Sequence, residues 1–335
     1  MILAGDVGGS NVRIALFERD GSRLVEKARK KLPTRSVASL PEVVGEFMGE
    51  FVAAQGGTVS AAGFGIAGPV RNNRCEAPNL PWVVEGEALA RGCGLDTVVL
   101  VNDLMANAIG LSELSEADFD VINAGTPDPN GNGALISAGT GLGMAALIRH
   151  GDRFLPQPSE GGHASFAPNG PDELALLTFL SKTYAHVSFE RVLSGPGLVN
   201  VHRFELSRSG AAGPDPLEQS LKPGGDFAAA IAQAALLGTN ETAERALRRF
   251  AGLYGSAAGN LALTVLATGG VFLGGGIAPK IRARLVDGTF LDAFCQKGRF
   301  AALLRAVPVK IILNDACALI GAARAAADSV PRPAA

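Results

Sequence analysis

Two segments of this chain end a β-branched run in Asn-Asp and lead into an alanine-rich stretch: VVLVNDLMANAIG at 98–110 and IILNDACALIGAA at 311–323. Each reads as a strand running into a helix, which puts Asp103 and Asp315 at the carboxyl ends of strands, where ligands bind in open α/β sheets. A carboxylate within hydrogen-bond reach of a hydroxyl can take its proton, so both acids are candidate general bases, with Asn102 and Asn314 beside them. Periodicity leaves the choice between them even. Glu160 and His163 flank two glycines in PSEGGHASFAPNGPDE at 158–173. An acid and an imidazole on a tight turn suit a ligand with several hydroxyls, because missing partners would cost a wrong ligand dearly. Glu190, in HVSFERVLSGPG at 186–197, is either another such group or a surface acid paired with Arg191.

Glycine turns supply the other half of the chemistry. In GDVGGSNVRIALFERDG at 5–21 the glycines are followed by alternating Val12, Ile14 and Leu16 and a turn at Asp20-Gly21. That is a strand, whereas a Walker loop or a dinucleotide fingerprint runs into a helix. The motif is therefore a β-hairpin whose turn exposes backbone amides, with Asp6 at its tip. Residues 133–151, GALISAGTGLGMAALIRHG, repeat the design. Two such hairpins, with no Cβ in the way of their N–H groups, suit a nucleotide triphosphate in a cleft between two related halves. Asp6 could hold Mg²⁺ through water, since that ion keeps several waters and takes one or two carboxylates. Thr140 could offer its hydroxyl to the terminal phosphate. A third cluster, Gly274, Gly275 and Gly276 in GGVFLGGGIAPK, reads as a strand end before a helix, with room for a flat adenine base. Nucleotide, cation and carboxylate together predict phosphoryl transfer to a hydroxyl.

The elements that must position these groups are those of an α/β protein. SLPEVVGEFMGEFVAAQ (39–55) has helical spacing and precedes a strand at 61–69, and Pro171 with two acids opens a helix over 171–185. Residues 250–279 carry no charged side chain, but eight glycines favour a buried helix and strand over a membrane span. Residues 205–226, rich in Gly, Pro and Ser, are expected to form a surface loop. The 335 residues allow two domains, expected as 1–110, completed by a helix at about 316–330, and 111–315. Thirty Lys and Arg against thirty-two Asp and Glu give a formal charge of −2 without a basic block, which argues against nucleic-acid binding. The four scattered cysteines fit reduced thiols. With the first strand starting at once and no membrane span, a cytoplasmic location is expected.

Taken in order, GDVGGSN, NDLMANA, SAGTGLG, EGGHASFAPN, FERVLSGPGLVN and GGVFLGGGIAP resemble the bacterial ATP-dependent glucokinase family, part of the superfamily of sugar kinases, actin and heat-shock ATPases. The resemblance runs from residue 3 to about 325, and EGGH with FAPN and ERVLSGPGLVN are its most specific parts. It implies a two-domain actin-like, ribonuclease H-like α/β fold with an interdomain cleft. It also implies that Asp103 is the catalytic base and that Asn102, Glu160, His163 and Glu190 bind glucose. Asp6, Gly8, Gly9, Ser10, Asn11, Gly139, Thr140 and Gly141 would bind the phosphates of ATP, and the assembly would be a homodimer. Ser10 stands where the family usually has Thr, keeping the hydroxyl. Asn79 falls in APNLPW, where relatives often carry a longer polar run. The Cys-rich zinc motif of the other bacterial glucokinase group is absent. Rival expectations are a kinase of another hexose or amino sugar, a sugar-sensing regulator, and an actin-like ATPase without a sugar substrate.

Overall fold

The computed structural model describes residues 1–330 apart from 10, 22, 53–56, 78, 79, 81, 211 and 212. They form two units: Met1–Asp118 with Arg153–Pro156 and the described residues from Asn314 onward, and Phe119–Asp152 with Gln157–Leu313.

The first unit is built on strands β1 (Ile2–Val7), β2 (Asn11–Asp20), β3 (Arg23–Pro33) and β4 (Ala61–Ile66). A small ribbon follows, of β5 (Val70–Arg71), β6 (Arg74–Cys75) and β7 (Val84–Glu85), and then β8 (Val98–Asn102). The main sheet has the order β3-β2-β1-β4-β8. β1 and β2 are the expected antiparallel hairpin, with Asp6 opposite Arg13, while β4 runs parallel to β1 and to β8. Every residue of β4 is buried, as a strand covered on both faces requires.

One face is covered by the helix Leu40–Phe47. The Ser39 hydroxyl caps it, accepting from the Glu42 N–H at 3.3 Å, and Leu40, Val43, Val44 and Phe47 make its buried stripe. It continues as a wider π turn, Met48–Val52. The other face is covered by Cys317–Ser329, whose Leu319, Ala322, Ala323 and Ala326 pack on Ile2, Ala4, Ala15 and Phe17. This helix also crosses Asp103–Gly110 with backbones in contact. A Cβ on Gly110 would lie 2.2 Å from the Cys317 carbonyl oxygen, and one on Gly321 would lie 1.8 Å from that of Ala106. Only glycine permits so close a crossing.

The second unit repeats the plan with β9 (Phe119–Asn123), β10 (Gly133–Ala138), β11 (Leu142–His150), β12 (Arg153–Ser159, of which Gln157–Ser159 belong to this unit), β13 (Gly270–Gly274) and β14 (Val309–Ile312). Its order is β12-β11-β10-β13-β14-β9. Again an antiparallel glycine hairpin is followed by two parallel strands, β13 beside β10 and β14 beside β13, so the duplicated design holds at the level of topology. The uncharged stretch makes up the second part of the 25-residue helix Glu241–Val265, capped by Asn240, and then β13. Its Phe250 and Tyr254 stack edge-on along a line reaching Phe290 and Phe294. Among the described residues no helix is long and apolar enough to cross a membrane.

Two expectations are corrected. No helix directly follows Gly276: Ile277 to Ile281 is a succession of turns, and only Arg282–Leu285 is helical. Gly275, at φ 81°, must fold tightly under the Ala138 carbonyl, and Pro279 has no N–H for a helical ladder. Residues 205–226 are not simply a surface loop either. The helix Gly195–Arg208 runs into them, and Pro216–Gln219 makes a turn of helix capped by Asp215. Asp215 is buried because it meets the fully buried His202 imidazole at 2.7 Å.

Candidate active site

In the first unit, Asn102 ends β8 and caps the helix that Asp103 opens. Its Oδ1 accepts the Leu104 N–H at 2.9 Å and its Nδ2 donates to the Gly68 carbonyl at 3.0 Å. The Asp103 carboxylate also accepts the Leu104 N–H, at 2.8 Å, and it has no ion-pair partner among the described residues. Burial pushes its pKa above the ordinary carboxylate range, opposed by the bond from the Leu104 N–H. Asp315, its sequence counterpart, has a side chain 76% exposed, with Arg13 at 3.4 Å and Arg29 at 4.0 Å.

Arg13 also lies 3.9 Å from Asp6. Burial lifts the Asp6 pKa to about 6, with Arg13 lowering it and the charges of Asp103 and Asp315 raising it. The three acids are thus close enough to feel one another. The turn beside Asp6 is closed by a bond from the Gly8 N–H to the Asn11 carbonyl at 2.9 Å and pinned by the Thr34 hydroxyl on the Gly8 carbonyl at 2.6 Å. Gly9 is exposed at its tip. Ser10 and Asn79 lie outside the described residues.

In the second unit the other candidates gather around the β10–β11 turn. The Gly139 N–H donates to the Gly141 carbonyl at 2.9 Å, leaving Thr140 exposed at the tip. Segments 164–166 and 187–189 are zipped together by bonds from Phe166 N–H to the Val187 carbonyl and from Phe189 N–H to the Ala164 carbonyl, each 2.9 Å. This brings EGGH beside the turn that carries Glu190. Gly162 is pressed against the Leu142 carbonyl, where a Cβ would come within 1.9 Å. His163 and Glu160 are exposed, with Nε2 and Oε2 4.0 Å apart. Glu190 is not a surface acid paired with Arg191: its Oε2 accepts the Leu142 N–H at 3.0 Å, and Arg191 stacks over the Tyr184 ring. The third glycine cluster abuts the same turn, since a Cβ on Gly275 would lie 2.2 Å from the Ala138 carbonyl, while Gly276 faces open space.

Three participants escaped the sequence reading. Leu142 contributes through its backbone and left no trace in side-chain patterns. Arg13 belongs to no motif and stands in the strand only as a polar residue between Val12 and Ile14. Ser194 caps the helix Gly195–Arg208, and the Gly195 N–H donates to the Gly139 carbonyl at 2.8 Å, so a positive helix end abuts the glycine turn. Ser194-Gly195-Pro196 was the available signal, a cap followed by a first-turn proline.

Among the described residues no group of three or more His, Cys, Asp or Glu is placed to hold a metal ion directly. A cavity of about 860 Å³ in the second unit is lined by other residues, including Arg245, Arg248, Arg249 and Glu173. Its charges are largely spent on each other, with Glu205 gripped by Arg249 at 2.6 Å and Arg245 at 3.6 Å.

A family model described as Glucokinase matches residues 3–329. A curated glucokinase from Synechocystis sp. is 38% identical over 98% of each chain. The solved structure of a glucokinase from an Antarctic psychrotroph superposes with a TM-score of 0.85 at 31% identity, covering 98% of each chain. A ROK family glucokinase from Streptomyces griseus, solved with glucose and AMPPNP, shares the fold, at a TM-score of 0.64 and 22% identity over 98% of this chain and 99% of its own. On the match of model, relatives and fold alike, this chain belongs to the glucokinase family.

Proposed function

We propose that this protein transfers the γ-phosphoryl group of ATP to the 6-hydroxyl of glucose, giving glucose 6-phosphate and ADP. The observation that carries the reading is the Asp103 carboxyl: half-buried, without an ion-pair partner among the described residues, and oriented by the Leu104 N–H of its own helix. Such a group can accept a hydrogen bond from the sugar hydroxyl and take its proton late in a loose transition state. Asn102, fixed by its cap and by Gly68, keeps a second amide hydrogen for a sugar oxygen. Glu160, His163 and Glu190 read further hydroxyls. The turns at Gly8, Gly9, Ser10 and Asn11 and at Gly139, Thr140 and Gly141 hold phosphates on backbone amides, aided by the positive end of the helix Gly195–Arg208. Gly274, Gly275 and Gly276 leave a surface against which adenine lies.

Asp6 is the residue that would hold Mg²⁺. A single carboxylate in the negative field of two others, with no cluster of direct ligands among the described residues, suits a cation that keeps most of its waters. When bound, the ion neutralises phosphate charge. Family resemblance supports a homodimer, which light scattering would check. The reading predicts that, across a panel of glucose, mannose, fructose and N-acetylglucosamine with ATP, GTP and polyphosphate, coupled ADP release is fastest for glucose with ATP. Glu160→Gln and His163→Ala should raise the glucose KM. A preference for another sugar, or ATP turnover indifferent to sugar, would overturn it.

A further inference from the structure

We propose that Glu190 serves both substrates, holding the phosphate turn with one carboxylate oxygen while reading the sugar with the other, and that Gly141 is a glycine to admit it. The inference rests on the reading of Glu190 as a sugar ligand and of Gly139–Gly141 as a phosphate cradle. The Leu142 N–H, the first amide after the turn, donates to Glu190 Oε2 at 3.0 Å, which leaves Oε1 for a sugar hydroxyl. A Cβ on Gly141 would sit 2.7 Å from that Oε2, whereas one on Gly139 would meet nothing within 4 Å. Neither glycine has a positive φ. Backbone torsion does not demand a glycine at 141; a side chain there would instead push the flexible end of Glu190 off the Leu142 N–H. The base of the carboxylate is fixed as well: the Ser194 hydroxyl donates to the Glu190 carbonyl at 2.8 Å, and Ser194 caps the helix whose first amide holds Gly139. A sugar that orders Glu190 thereby orders the phosphate turn, and by linkage a bound nucleotide tightens the sugar by the same factor.

The test titrates glucose calorimetrically, without nucleotide, into wild type, Gly141→Ala, Gly139→Ala and Glu190→Gln. Gly141→Ala is expected to weaken glucose about tenfold, or about 1.4 kcal/mol, although it lies on the phosphate turn, with Gly139→Ala within about twofold of wild type. Unchanged glucose binding in Gly141→Ala, or equal weakening in Gly139→Ala, would overturn the coupling. If Glu190→Gln itself binds glucose normally, the sugar reading of Glu190 fails as well; if only Glu190→Gln is weakened, the coupling alone fails. Should Gly141→Ala misfold by circular dichroism, Glu190→Asp replaces it. Its shorter side chain withdraws from Leu142, so the ATP KM should rise about fivefold, by the loss of one charge-assisted hydrogen bond; an unchanged KM would overturn the proposal.

Discussion

Asn102-Asp103 and Asn314-Asp315 begin alike and end differently. Both asparagines cap a turn by accepting the N–H two residues on, from Leu104 and from Ala316, each at 2.9 Å. Both tie their amide nitrogen to a neighbouring segment, at the Gly68 carbonyl and at Asp118 Oδ1. One residue later the environments part. Asp103 is half-buried and has no ion-pair partner among the described residues, while Asp315 stands in solvent between Arg13 and Arg29. The motif fixes a backbone; residues from other strands decide whether its acid can act as a base. A carboxyl whose charged form is destabilised binds a proton more readily.

The comparison breaks first at Asp103. Asp103→Asn should lower kcat by about 10²- to 10⁴-fold with glucose affinity retained, measured by coupled ADP release and calorimetry. Near-normal turnover would hand the role to Asp315. Next in size is the crossing that seats the Asp103 helix. Gly321→Ala puts a Cβ against the Ala106 carbonyl and should cost about 1–3 kcal/mol in urea unfolding, whereas a cost near zero would mean that the helices part easily.

A subtler effect concerns pH. Because the folded-state pKa of Asp103 is raised, its contribution to stability is fully present below the ordinary carboxylate value and is lost as pH rises through the folded value. Asp103→Asn should therefore be more stable than wild type at neutral pH, with the gap closing below about pH 4 in denaturant melts at several pH values. A gap that widens on acidification would reverse the assigned direction. The smallest effect belongs to Asp315→Asn, an exposed pair worth less than about 1 kcal/mol, with turnover within a few-fold of wild type.

Much of the frame was legible because it is written in local periodicity. Val12, Ile14 and Leu16 announce β2, and the apolar spacing after Ser39 announces its helix. The two hairpins with their following strands announce a repeated topology. What stayed hidden depends on residues distant in sequence. Glu190 meets Leu142 across 48 positions, so the local sequence leaves it open between a ligand group and a surface acid paired with Arg191. Periodicity alone does not rank Asp103 and Asp315, because Arg13 and Arg29, which pair with Asp315, come from strands distant in sequence. Asp215 sits among Pro and Gly, and only the buried His202 imidazole explains why that stretch turns inward.

The helix Cys317–Ser329 has a consequence for the order of events during synthesis. Ile2, Ala4, Ala15 and Phe17 bury one face against residues up to Ala327, and the Arg19 guanidinium donates to the Ala327 carbonyl, 308 positions away. β1 and β2 therefore wait about 300 residues for their cover, while the second unit draws its contacts from Phe119–Asp152 and Gln157–Leu313, which are nearly adjacent in sequence. Folding of the first unit is expected to complete last. Proteolysis of stalled nascent chains should find β1 and β2 cleavable until residue 327 has emerged, and early protection would show that the sheet stands without its closing helix.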